Sequence, residues 1–145
     1  MKKISEIESI KMQFGESIYH TSAKNDYRAT ITVDKEKIIE IADYLFRVFQ
    51  WRFIIATALE TNLGIEILYH FSNDKSGLIL NVNVILDKEK PEIESLTCLF
   101  ESANWIEREM HEILGINFIN HPNLEKLISE GNWAEGVYPY RKSSQ

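Results

Sequence analysis

The chain has 145 residues, 44% of them apolar and 26% charged, with a net charge of −6 and a pI near 5.2. That suits one globular domain with a real core. An acidic balance without any run of five or more basic residues excludes general binding to a nucleic-acid backbone, and the single cysteine, Cys98, excludes an internal disulfide framework, a zinc site of several thiolates and a four-thiolate iron–sulfur cluster.

Two lysines open the chain, but Ser5, Glu6, Glu8, Ser9 and Lys11 interrupt the residues after them, so no signal-peptide apolar stretch is expected. The longest apolar run, residues 53–59, is broken by Thr57 and is too short to cross a bilayer. Residues 2–14 predict a short amphipathic helix, with Ile4, Ile7 and either Ile10 or Phe14 on one side and Gly15 at its end. Residues 27–33 alternate and are rich in β-branched side chains, which predicts a strand. Asp34 then stands where an N-cap belongs. Residues 35–50 predict one strong helix, with Ile38, Ile41, Ala42, Leu45, Phe46 and Phe49 at helical spacing.

Residues 52–61 and 64–71 are apolar-rich runs joined by Asn62-Leu63-Gly64, a hairpin sequence, and 72–77 form a second turn before the alternating run 78–86. Three strands with such short joints imply an antiparallel meander. Pro91 marks a break, residues 95–101 allow a short helix, and 102–114 form a helix ended by Gly115. Residues 123–129 allow one more short helical piece. The expected class is α+β in two layers: an antiparallel or mixed sheet, made of the meander and the earlier strand, with helices on one face. Residues 1–130 make a single domain. Residues 131–145 form an extended tail that carries Trp133, Val137, Tyr138 and Tyr140. These rings either fold back on the domain's own core or lie on a partner as an arm.

In the 102–114 helix, Trp105, Ile106, Met110, Ile113 and Leu114 fall on one wide arc, and Glu107, Arg108, His111 and Glu112 on the other. Arg108 and Glu112 can pair at i, i+4. Glu109 falls inside the apolar arc and is expected to be a buried carboxylate that either has a cation or donor opposite, with Arg141, Arg52 and His70 as unranked candidates, or is protonated. His111-Glu112 opens like a zinc-protease helix, but the second imidazole position is Gly115, which leaves no helix-borne chelate. His121, before Pro122, is expected to hydrogen-bond within a loop. Cys98, between Leu96, Thr97, Leu99 and Phe100, is expected to be a buried structural cysteine. No glycine-rich phosphate loop, dinucleotide fingerprint or nucleophile elbow occurs.

Trp105-Ile106-Glu107-Arg108-Glu109, then Glu112-Ile113-Leu114-Gly115-Ile116, then His121-Pro122-Asn123-Leu124, resembles the signature of the C-subunit family of respiratory complex I (NADH:quinone oxidoreductase). That family includes the related subunits of energy-converting membrane-bound [NiFe] hydrogenases. Tyr138-Pro139-Tyr140-Arg141-Lys142 resembles the family's closing motif, with Tyr140 in place of its usual Leu. Glu112 replaces the common Asp, and Glu125 stands where a basic residue is usual. The short region before the domain looks more like the hydrogenase branch. The resemblance implies a non-catalytic assembly subunit without a cofactor of its own. It would brace the large catalytic subunit, of hydrogenase type or of the D type in complex I, against iron–sulfur subunits that carry the clusters, with nickel–iron in the hydrogenase case. It would be cytoplasmic and peripheral, held at the membrane through its partners. Glu107, Arg108, Glu109, Glu112, His121, Trp133, Tyr138, Tyr140, Arg141 and Lys142 are then the candidate partner-binding residues. The competing possibilities are a complex I-type quinone reductase subunit, a generic adaptor, and a small metal-dependent enzyme using Glu107, Glu109, His111 and Glu112.

Overall fold

The structure is a computed structural model that describes residues 2–124 and Arg141. The chain forms α1 (Lys2–Phe14), β1 (Ile18–Asn25), β2 (Arg28–Val33), α2 (Ile38–Asp43), β3 (Arg52–Thr61), β4 (Gly64–Asn73), β5 (Leu78–Leu86), β6 (Glu92–Glu94), α3 (Ala103–Leu114) and β7 (Asn117–Ile119). Five strands form a mixed sheet in the order β1-β2-β5-β4-β3, and β6 and β7 form a separate pair. The α+β class expected from the sequence is the one formed. The contacts divide the chain into two compact units, Met1–Ile55 with Leu68–Val84, and Ala56–Ile67 with Ile85–Gln145.

In the first unit, β1 pairs antiparallel with β2, and β2 pairs parallel with β5 in the register Arg28↔Ile79 to Thr32↔Asn83. Alternation decides the faces. Ala29, Ile31 and Val33 of β2 and Leu78, Leu80, Val82 and Val84 of β5 are buried. Some intervening residues form a polar ladder: Asn81 donates to Thr30 Oγ1 at 3.3 Å, Asn83 to Thr32 Oγ1 at 3.4 Å, and His70 Nδ1 meets Asn81 Oδ1 at 2.6 Å. Asp34 caps as expected, accepting from the Glu36 amide at 3.2 Å.

The single helix expected over 35–50 is instead three pieces. A 3₁₀ turn at Lys35–Lys37 leads into α2, and a π-helical turn at Tyr44–Val48 follows it. The wider last turn brings Tyr44 and Phe49 into edge-to-face contact at 5.1 Å, between Phe14 on one side and Trp51 on the other. Phe46, expected in the core, is 43% exposed. Strand β1 is not among the elements expected from the sequence. Most of its residues are exposed, so it carries no apolar alternation, and its pairing is irregular at two places.

In the second unit, Asn62-Leu63 is the two-residue loop between β3 and β4, which fixes those strands as antiparallel. Gly64 follows it at φ 149°, where a Cβ would run into the Leu86 carbonyl oxygen. Further along, β6, a 3₁₀ turn at Leu96–Cys98, α3 and β7 form a small β-α-β arrangement, with β6 and β7 parallel. Gly115 ends α3 in the left-handed region at φ 77° and donates to His111 O, as its position in the sequence predicts. Three-residue strands give no period, so neither β6 nor β7 is legible in the sequence.

Candidate functional site

The buried stripe of α3 is Ala103, Glu107, Met110 and Leu114, with Glu112 also buried. Met110 and Leu114 lie inside as expected, but Glu107 and Glu112, placed on the polar arc, are buried with them. Glu109 is exposed and Glu107 is the buried carboxylate, while Trp105, placed on the apolar arc, is 64% exposed with the Arg108 guanidinium 5.9 Å from its ring centre. The helical wheel puts the largest apolar side chains inward. The fold instead turns inward the carboxylate that has donors waiting for it.

Those donors come from the segment after β6. The Ser95 hydroxyl donates to Glu107 Oε1 at 2.5 Å and the Leu96 amide to Oε2 at 2.8 Å. Ser95 is itself the cap of the 3₁₀ turn, accepting from the Thr97 amide at 3.1 Å, while its own amide donates to Ile119 O of β7 at 2.9 Å. One carboxylate thus fastens α3 to the start of the turn beside the β6–β7 pair. His121, with its side chain fully buried, completes the cluster: Nε2 lies 3.1 Å from Asn104 O and 4.0 Å from Glu107 Oε1, and Nδ1 accepts from the Asn123 amide at 3.0 Å. The loop hydrogen-bonding role expected for His121 is the one it has. Burial pushes the Glu107 carboxyl up to about 7, against the opposing pull of the Ser95 and Leu96 hydrogen bonds.

A second fastening lies at the far end of α3. Arg141 Nε meets Glu60 Oε1 of β3 at 3.2 Å, while its other nitrogens donate to Leu114 O at 3.1 Å and Lys88 O at 2.8 Å. Arg141 is therefore not the partner of Glu109. It neutralises Glu60, whose side chain is 5% exposed, and caps the carbonyl end of the helix. The other two candidate partners for Glu109 are engaged elsewhere: Arg52 pairs with Asp74 at 3.2 Å and His70 with Asn81. Sequence reasoning misses Ser95, Asn104 and Glu60, though Ser95-x-Thr97 is a turn-capping pattern that draws attention to the first of them.

Cys98 is exposed, not buried, because its 3₁₀ turn presents it outward with Sγ 3.8 Å from Ser95 O. His111 is committed to Ile116 O at 2.9 Å, and among the described residues no three His, Cys, Asp or Glu side chains could hold a metal ion. Trp133, Tyr138, Tyr140, Lys142 and the 123–129 helical piece beyond Leu124 lie outside the described residues. No helix among the described residues is long and apolar enough to cross a membrane.

The fold is shared with a chain of an archaeal respiratory membrane complex, the membrane-bound sulfane sulfur reductase. The likeness has a TM-score of 0.82 at 20% identity, over 100% of this chain and 86% of that one. The chain is 32% identical over 139 residues to the C subunit of the F(420)H(2) dehydrogenase of Methanosarcina mazei, covering 94% of this chain and 87% of that protein. It is 26% identical over 148 residues to the C/D subunit of the NADH-quinone oxidoreductase of Acinetobacter baylyi, where 94% of this chain matches 24% of a longer protein. The class is thus a C subunit of the complex I type. Residues 31–145 match the family described as respiratory-chain NADH dehydrogenase, 30 Kd subunit, and the chain belongs to that family.

Proposed function

We propose that this chain is a cofactor-free assembly subunit that braces the large catalytic subunit against iron–sulfur subunits on the cytoplasmic face of the membrane. The observation that carries this reading is the fused C/D protein of Acinetobacter baylyi, in which a stretch similar to nearly all of this chain is covalently joined to a D subunit. A fusion of that kind is sensible for parts that work side by side. The outward face of α3, with Trp105, Arg108 and Glu109, offers residue types that anchor protein interfaces. The oxidoreductase itself is read as a dehydrogenase of the complex I type, in line with the Methanosarcina mazei relative. An energy-converting hydrogenase is the alternative.

Co-expression with the neighbouring large and iron–sulfur subunits tests the proposal. Capture on a tag carried by this chain should bring down the large subunit in equal amount, and the separated chain should contain no stoichiometric iron, nickel or zinc. A separated chain that holds metal, or that turns over substrate alone, refutes the assignment. Nickel in the captured large subunit would select the hydrogenase alternative.

A further inference from the structure

His121 is held at both ring nitrogens by main-chain groups: Nε2 by the Asn104 carbonyl and Nδ1 by the Asn123 amide. A carbonyl only accepts and an amide N–H only donates, so the ring is the neutral tautomer with its proton on Nε2. That nitrogen is 4.0 Å from Glu107 Oε1, beyond hydrogen-bond reach. Glu107 therefore sits buried with a hydroxyl and an amide as donors and a neutral imidazole beside it.

The two groups differ in what a proton would break. A proton on His121 Nδ1 would set two donors face to face and release the Asn123 amide. A proton on Glu107 removes a buried negative charge and displaces no main-chain partner, because Oε2 keeps the Leu96 amide while the Ser95 hydroxyl can turn to accept. We propose that Glu107 and His121 form a buried one-proton site in which the carboxylate, not the imidazole, is protonated first.

The surroundings favour that order. From the 3₁₀ turn, the Thr97 hydroxyl bonds to Ser95 at 2.8 Å and the Cys98 thiol points to Ser95 O. Glu94 of β6 is engaged by Asn120 at 3.0 Å, and β7 offers no titratable side chain. On α3 itself, Arg108 stacks on Trp105, Glu109 is exposed and His111 is bonded to Ile116 O. Among the described residues, then, His121 is the titratable group within 4.0 Å that faces Glu107 as an ion-pair partner. Burial drives the carboxyl in the same direction, up to about 7. The first proton thus goes to Glu107, and the Asn123 amide keeps its bond to His121 Nδ1.

Nuclear magnetic resonance of the full-length, isotope-labelled chain tests this, following the Glu107 carboxyl carbon, the His121 ring nitrogens and the Asn123 amide from about pH 8.5 to about pH 5. The carboxyl carbon should move first, with the ring still in its neutral Nε2–H form and the amide still protected. Glu107→Gln should abolish that first step and leave the tautomer unchanged. If that variant fails to fold, Ser95→Ala should move the carboxyl step to higher pH by roughly threefold or more in proton affinity, because a donor to the charged form is lost. An imidazolium that forms before the carboxyl carbon moves, a ring proton on Nδ1, or a Ser95→Ala step that stays put or falls would each overturn the assignment.

Discussion

Glu107 makes the stability of this protein depend on pH in the direction opposite to most carboxylates. Its folded-state value of about 7 lies above the ordinary 4.5, so between those limits the folded chain binds more protons than the unfolded one. Stability from this group is fully present below about pH 4.5 and is lost as the pH rises toward 7 and beyond. Each pH unit in that window is worth about 1.4 kcal/mol, so complete ionisation removes roughly 3 kcal/mol. Glu107→Gln keeps an acceptor for the Leu96 amide and cannot ionise. Urea denaturation of both proteins, measured across about pH 4.5 to 8, should give stabilities that converge at the acid end. At the alkaline end the Gln variant should lead by up to roughly 3 kcal/mol. A difference between the two that stays flat across the window would refute the reasoning, because any other titrating group is common to both.

Other substitutions probe the remaining features. Arg141→Ala removes a buried partner of Glu60 and the donors to Leu114 and Lys88, and should lower stability by roughly 3 kcal/mol in urea. Arg141→Lys should recover less than half of that, since an ammonium lacks the planar fork that reaches three acceptors. Gly64→Ala should cost about 3 kcal/mol or more, measured by thermal unfolding, because its Cβ meets the Leu86 carbonyl. Trp105→Ala should leave the isolated chain within about 0.5 kcal/mol of wild type, since the ring is mostly in solvent. In the co-expression capture it should weaken recovery of the large subunit, and unchanged recovery would remove this helix face from the interface.

The long elements are legible in the sequence and the short ones are not, for physical reasons. Strands β3 and β5 are bounded to the residue because each is an apolar-rich run closed by a turn of two or four residues. The end of α3 is legible because Gly115 is needed at φ 77°. Strand β1 escapes because an edge strand in solvent carries no pattern, and β6 and β7 because three residues are too few for one. The helix face at the site is misassigned for a different reason. Amphipathic analysis places side chains by angle alone and so turns Glu109 inward, whereas Glu107 is the one drawn inward by Ser95 and Leu96, which lie on a turn whose approach is a tertiary fact. The sequence does name Glu107, His121 and Arg141 among its candidate residues, for partner binding. Their partners are not readable from it, because Glu60 and Arg141 are separated by most of the second half of the chain.

The parallel pairing of β2 with β5 joins Arg28 to Ile79 and Thr32 to Asn83, so two neighbours in space are far apart in the chain. The hairpins on either side close over short loops and can assemble locally, but the seam between them must wait until the intervening meander has formed. Refolding should therefore be limited by that one docking event. Mutations along the Thr30–Asn81 and Thr32–Asn83 seam should therefore slow formation of the native state more than they speed its unravelling.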